Sequence, residues 1–156
     1  SLGPEVDWLV PGTKGATSTF DQFIQERLGN YADGSNNPNN EHACSDMAPY
    51  FNRGQFSAQR AVQSVRASKR HSDGVKAFIE QAVIRRELSD NLCFYNGKTD
   101  HYDDLSGAAA WARASLDLHS TDVREWTYTL TQLESAQTHD DLWNAAQLQM
   151  VSEGEN

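Results

Sequence analysis

The chain has 156 residues, a length that suits one domain with a real core. Its 22 acidic residues outnumber 13 basic ones for a net charge of −9, and the apolar share is low at 38%. No apolar run approaches the span of a bilayer, and the acidic balance argues against a nucleic-acid duplex as partner, because phosphate contacts supply most of that affinity. Two cysteines, Cys44 and Cys93, make no framework; with no Cys-x-x-Cys or His-x-x-x-His pair, neither a disulfide nor a metal site is expected. The chain opens at Ser1 with no initiator Met and no apolar signal segment, which leaves open an upstream part lost by processing, a targeting peptide included.

In chain order, residues 1–16 are punctuated by Gly and Pro and read as an extended lead-in, anchored by Trp8 and Leu9. Residues 17–156 read as one helical domain. Thr19 and Gln22 fit a capping box, and Phe20, Phe23, Ile24 and Leu28 make a helical stripe ending near Gly29. Residues 31–44 form an Asn-rich loop broken by Pro38, and Pro49 opens a short helical turn through Phe51. Ser57 caps a helix that turns Ala58, Ala61, Val62 and Val65 inward, and Lys69-Arg70-His71 closes it. The longest helix is expected over residues 73–95. Val75, Phe78, Ile79, Ala82, Val83, Leu88 and Leu92 follow the spacing of one buried face, and Cys93 reads as a small core hydrophobe. Arg85, Arg86, Glu87, Asp90 and Asn91 interrupt that face; they make either a solvated edge with i,i+4 ion pairs or a buried polar seam.

Beyond a polar loop, Ser106 opens a helix that points Ala110, Trp111, Ala114 and Leu118 inward. Thr131 and Glu134 fit a second capping box ahead of a short helix. Thr138 caps the last helix, whose first turn carries Asp140 and Asp141 and whose apolar side is Leu142, Trp143, Ala146 and Met150. No strand and no repeat is apparent. The fold class is all-α, with six or seven helices.

Spacing alone assembles no nucleophile triad, phosphate loop or metal constellation, and the five histidines are scattered. Three motifs carry more. They are Arg85-Arg-Glu-Leu-Ser-Asp-Asn-Leu-Cys-Phe-Tyr-Asn96, Thr138-His-Asp-Asp-Leu-Trp-Asn-Ala-Ala-Gln-Leu-Gln-Met150 and Gly54-Gln-Phe-Ser-Ala-Gln-Arg60. In order and spacing they resemble class II DNA photolyases, the flavin enzymes that split cyclobutane pyrimidine dimers with light. The resemblance runs from about Glu5 to Glu153 and implies part of the helical, FAD-binding domain of that family.

Taken position by position, the resemblance also implies a damaged site. In the family a Tyr followed by Lys-Arg-Asn lies beside flavin and lesion; Tyr31 and Asn36 match, but Gly34 and Ser35 replace the cations. The family's Ser-Asn-Leu-Ser-Pro-Tyr loop bonds the flavin's phosphates. Here it reads Ser45-Asp46-Met47-Ala48-Pro49-Tyr50, so Ala48 lacks a hydroxyl and Asp46 sets a carboxylate near a diphosphate. Asn52-Arg53 stands where the family has His-Phe. Gln81 falls at the position of the acid that contacts the dimer, and an amide cannot donate a carboxylic proton. Trp143 matches one tryptophan of the family's electron relay, whose proximal partner belongs to a segment beyond Asn156; a core role is the simpler reading of Trp143.

These departures lead to the expectation of no catalytic residue, no bound flavin and no DNA partner. The chain then serves as a structural subunit among other proteins, with an organellar membrane complex in plastid or mitochondrion as one host. The alternative is part of a working FAD-dependent photolyase, acting in nucleus or cytoplasm. A blue-light sensor that keeps flavin without repair is a third, weaker reading.

Overall fold

The computed structural model describes residues 6–40, 42–96 and 105–154. The described residues are helical and turn structure with no strand. They divide into two compact units, Leu9–Asp104 and a second made of Ser1–Trp8 with Leu105–Asn156. Eight continuous helical runs, beside one 3₁₀ turn, appear among the described residues.

In the first unit, helix α1 (Gly12–Gln22) continues as a π turn over Phe23–Arg27. The extended lead-in therefore ends at Pro11 rather than at residue 16. Pro11 is extended and suits the N-cap, since its missing N–H is an orphan donor in any case. Thr19 and Gln22 lie inside this helix, so their spacing marks no helix start. Gly12 N–H is instead satisfied by Gln55 Oε1 at 2.9 Å, and the Tyr50 hydroxyl donates to Val10 O at 2.8 Å.

Three short elements come next: α2 (Tyr31–Gly34), α3 (Ala48–Asn52) and α4 (Ala58–Ala67). Ser57 caps α4 as expected, accepting from Arg60 N. The long helix is also present: α5 (Ser72–Ile79), a π turn over Glu80–Arg85 and α6 (Arg86–Asn96) run on without a break. Helix α5 starts hard against the end of the first helix, where Gly74 meets the Leu28 carbonyl; a Cβ there would lie 1.9 Å from that oxygen.

The core is aromatic. Phe20, Phe23, Tyr31, Tyr50, Phe56 and Phe78 are buried with Leu28, Met47, Ala61 and Val65. Phe78 stacks at tilted angles on Phe20 and Phe23, with centroids 5.7 and 5.4 Å apart. Fully buried packing stops at Phe78 and partial burial at Ala82. Leu88 and Leu92 are therefore exposed (58% and 54%), as is Cys93, contrary to the periodicity. The apolar stripe is real, but α6 runs past the end of the core that its first half helps build.

In the second unit, α7 (Ala110–His119), α8 (Leu130–Glu134) and α9 (Asp141–Glu153) come after a 3₁₀ turn at Leu105–Gly107. The capping box sits two residues earlier than expected, with Thr129 and Gln132 exchanging both bonds. The cap of α9 is Asp140, whose Oδ1 accepts from Leu142 N and Trp143 N, rather than Thr138. Trp8 Nε1 donates to Glu153 O at 2.9 Å and anchors its segment within this unit. Trp111, Leu118, Leu142 and Met150, expected to face inward, are all exposed. None of the described residues in 105–154 is fully buried, so this unit has no sealed interior of its own.

Candidate functional site: the Arg27 clamp and the 43–48 loop

The π turn at Phe23–Arg27 adds a residue to one helical turn and so re-aims the side chains at its end. Arg27 is the result: its guanidinium lies 5.9 Å from the Phe23 ring centroid, and its side chain is only 15% exposed. From there Nη1 donates to Cys44 O at 2.9 Å and forms an ion pair with the Asp46 carboxylate. Arg27 Nε is buried with no partner, so the guanidinium holds more donors than the loop uses.

The loop is fixed at both ends. Asp46 adopts a left-handed backbone (φ 58°), a conformation that Asp tolerates better than most residues. Met47 is fully buried in the core, and its N–H donates to Ser45 Oγ at 3.4 Å. Ala48 is exposed at the start of α3. Upstream, Gly34 packs so closely on Ala43 and Asn40 that a Cβ would lie 2.9 Å from each, so any side chain there would have to push them aside.

Tyr31 is buried beside the loop, its ring edge-on to Phe23 with centroids 5.2 Å apart. Burial pushes its phenol above the ordinary value, and the neighbouring Cys44 thiol adds a smaller push in the same direction. Of the expected site residues, Tyr31 and Met47 are thus part of the core with Phe23 and Phe78, Asp46 is held by Arg27, and Gly34 packs on Ala43 just before the loop. Gln81 is exposed on the π turn at Glu80–Arg85, which packs against α4. Trp143 belongs to the other unit and is 47% exposed rather than a core residue.

The three motifs have local structural reasons. Gln55 caps α1, Phe56 joins the core, Ser57 caps α4, and Arg60 lies over the Phe56 ring at 5.3 Å. Asn144 closes a loop on Thr138, accepting from its N–H and hydroxyl and donating to its carbonyl. His139 stacks on Trp126 with centroids 4.7 Å apart and its Nδ1 bonds the Tyr128 hydroxyl. Arg85 pairs with Glu80 and Arg86 with Asp90, each at 3.7 Å and none of the four buried, which decides for the solvated edge over the buried seam.

No family model matches the chain. Similarity to curated proteins is nonetheless extensive. The deoxyribodipyrimidine photo-lyase of Potorous tridactylus is 49% identical over 151 residues, covering 96% of this chain and 28% of that protein. Those of Arabidopsis thaliana and Oryza sativa are 45% and 44% identical over 156 residues, covering 97% of this chain and 31% and 30% of theirs. This chain belongs to the photolyase family. It spans about three tenths of the length of the curated relatives it matches and carries an all-α part of the photolyase fold. Sequence reading missed Arg27, because nothing in its spacing announced a π turn or a partner 19 residues away. Among the described residues no cluster of metal-ligating side chains occurs and no helix is long and apolar enough to cross a membrane.

Proposed function

We propose that this chain is part of a deoxyribodipyrimidine photolyase whose complete polypeptide binds FAD and repairs cyclobutane pyrimidine dimers in DNA with light. The observation that carries the reading is identity of 44–49% to three such proteins over nearly the whole chain. The Arg27–Asp46 pair removes the strongest objection to it. An unpaired carboxylate on the 45–48 loop would repel a diphosphate, whereas one engaged by a guanidinium carries little net field. Ser45 keeps its hydroxyl for an anion, and the loop is anchored by buried Met47. The residues present therefore fit a flavin diphosphate better than their types alone suggest. In this reading Gln81 contacts the lesion as a neutral hydrogen-bonding amide, and Trp143 stands in an electron path.

The exposed stripe of α6 and the open second unit agree with this reading. A chain spanning three tenths of its relatives' length leaves ample polypeptide to cover Leu88, Leu92, Phe94 and Tyr95. One observation favours the other reading, a structural subunit that has lost repair: a side chain at Gly34, where the family has a cation, would have to displace Ala43 and Asn40. The two are separated by the complete protein. Near-ultraviolet and blue absorbance, with flavin released on denaturation, and light-dependent repair of a dimer-containing duplex are expected. A colourless protein with no repair under light overturns the proposal in favour of the subunit.

A further inference from the structure

The acidic total hides a segregated charge. Residues 47–72 contain Arg53, Arg60, Arg66, Lys69 and Arg70 and no Asp or Glu, inside a chain of net charge −9. All five cations are exposed. Among the other described cations of the same unit, Arg27, Lys76, Arg85 and Arg86 each have a carboxylate within ion-pair distance and Lys14 on α1 does not. The five have no such partner among the described residues. Arg60 and Arg66 lie about 9 Å apart along α4, and both fall on the side away from buried Ala58, Ala61 and Val65.

The turn that ends α4 is built to hold its cations in place. Lys69 and His71 both take left-handed backbone (φ 50° and 53°), which costs a non-glycine residue on the order of 1 kcal/mol. Ser68 fixes the turn, its hydroxyl donating to Val65 O at 2.7 Å and accepting from Arg70 N at 3.4 Å. His71 packs its ring against Gly29.

We infer that α4 and the turn after it form a sequence-independent docking surface for the phosphate backbone of duplex DNA, outside the 43–48 loop. Of the four cations on α4 and this turn, three are arginines, Arg60, Arg66 and Arg70, whose planar fork suits phosphate oxygens. The exposed face of α4 between them carries Gln59 and Gln63 and no large apolar side chain, so it has nothing to insert into a membrane and little to bury in a dry protein interface. Unpaired arginines with interleaved amides are what backbone binding needs: cations to release counterions and neutral donors to set register. The choice of DNA over other polyanions rests on the photolyase reading; the existence of the surface does not.

The test uses the chain itself and a fluorescein-labelled duplex, intact or carrying one cyclobutane dimer, titrated from about 50 to 200 mM salt. Arg66→Glu/Arg70→Glu removes two exposed cations, and Lys14→Glu/Arg113→Glu changes net charge equally outside the surface. Circular dichroism of each variant keeps folding separate. The expected result is salt-dependent binding, weakened at least tenfold by the first pair and less than twofold by the second. The salt slope should fall by about two for two lost phosphate contacts. The loss should be the same on intact and damaged duplex, because the surface reads no lesion. No binding at the lowest salt, equal loss from both pairs, or tighter binding to phosphatidylserine vesicles than to the duplex would overturn the inference. If the complete protein nevertheless repairs DNA, the photolyase reading stands without it; if the surface binds but no repair or flavin is found, the converse holds.

Discussion

At the scale of single residues, three positions make separable predictions. Arg27→Met strands the Asp46 carboxylate and removes the bond to Cys44 O. Bonds to charged groups are worth roughly 1.5–3 kcal/mol, but Asp46 is 38% exposed and water takes back part of that. A loss of about 1–2 kcal/mol by urea denaturation is expected, part of it recovered by adding Asp46→Asn, which removes the stranded charge and keeps a residue tolerant of left-handed backbone. Gly74→Ala drives a Cβ into the Leu28 carbonyl and should cost about 1–3 kcal/mol or more, whereas Gly54→Ala, at φ 64° with open space around it, should cost only about 1. Tyr31 gives a pH dependence. Its phenol titrates above the ordinary value of 10.0 when folded, because ionising it inside the core is unfavourable. The folded state therefore holds its proton where the unfolded state releases it. The stabilisation is complete below the unfolded value and is lost as pH rises through the folded one. Alkaline unfolding should steepen above about pH 10, and Tyr31→Phe should remove that component.

The elements show what a sequence can and cannot announce. Ser57 was legible because its cap needs only a hydroxyl three residues ahead of an N–H, and Asp140 was legible as acid in a first turn though not as the cap. The second capping box was misplaced for a plain reason. Thr129-x-x-Gln132 and Thr131-x-x-Glu134 fit one pattern, and only the backbone, with Thr129 extended and Leu130 already helical, chooses between them. The two π turns had no signal, and one of them creates the Arg27 clamp on which the reading of the 43–48 loop turns. Helix α6 is the instructive case. Its stripe is correctly periodic, yet periodicity says only that a face is apolar, not that a partner lies within the same stretch of chain. Leu88→Asp/Leu92→Asp should therefore change the stability of this chain by no more than about 0.5 kcal/mol, against roughly 3–5 for Phe78→Ala in the core. In the complete protein the proposed covering of α6 makes the same pair strongly destabilising. Denaturation of both proteins with both variants is the check, and equal small effects in each would remove the argument that α6 is covered.

For the molecule as a whole, net charge and mean composition average over two unlike halves. Among the described residues the fully buried core lies within residues 16–78, where six aromatic side chains gather, while residues 105–154 have local caps and loops but no fully buried side chain. Protection from hydrogen exchange tracks the free energy of opening each region, and regions with few buried apolar contacts open at little cost. Amides in α1, α4 and α5 should therefore exchange slowest in the isolated chain, close to the limit set by global unfolding. Amides in α7 and α9 should exchange orders of magnitude faster in spite of good helical geometry, because an isolated helix of 10 or 13 residues is marginal without packing. Hydrogen-exchange mass spectrometry resolves the two sets in one experiment. Protection in α9 equal to that in α1 would mean that the second unit draws stability from contacts other than those described, and addition of the remaining polypeptide should then leave its exchange unchanged. In the proposed photolyase the opposite holds: the complete protein should slow exchange in α6, α7 and α9 selectively, with little change in α1, where the core is already closed.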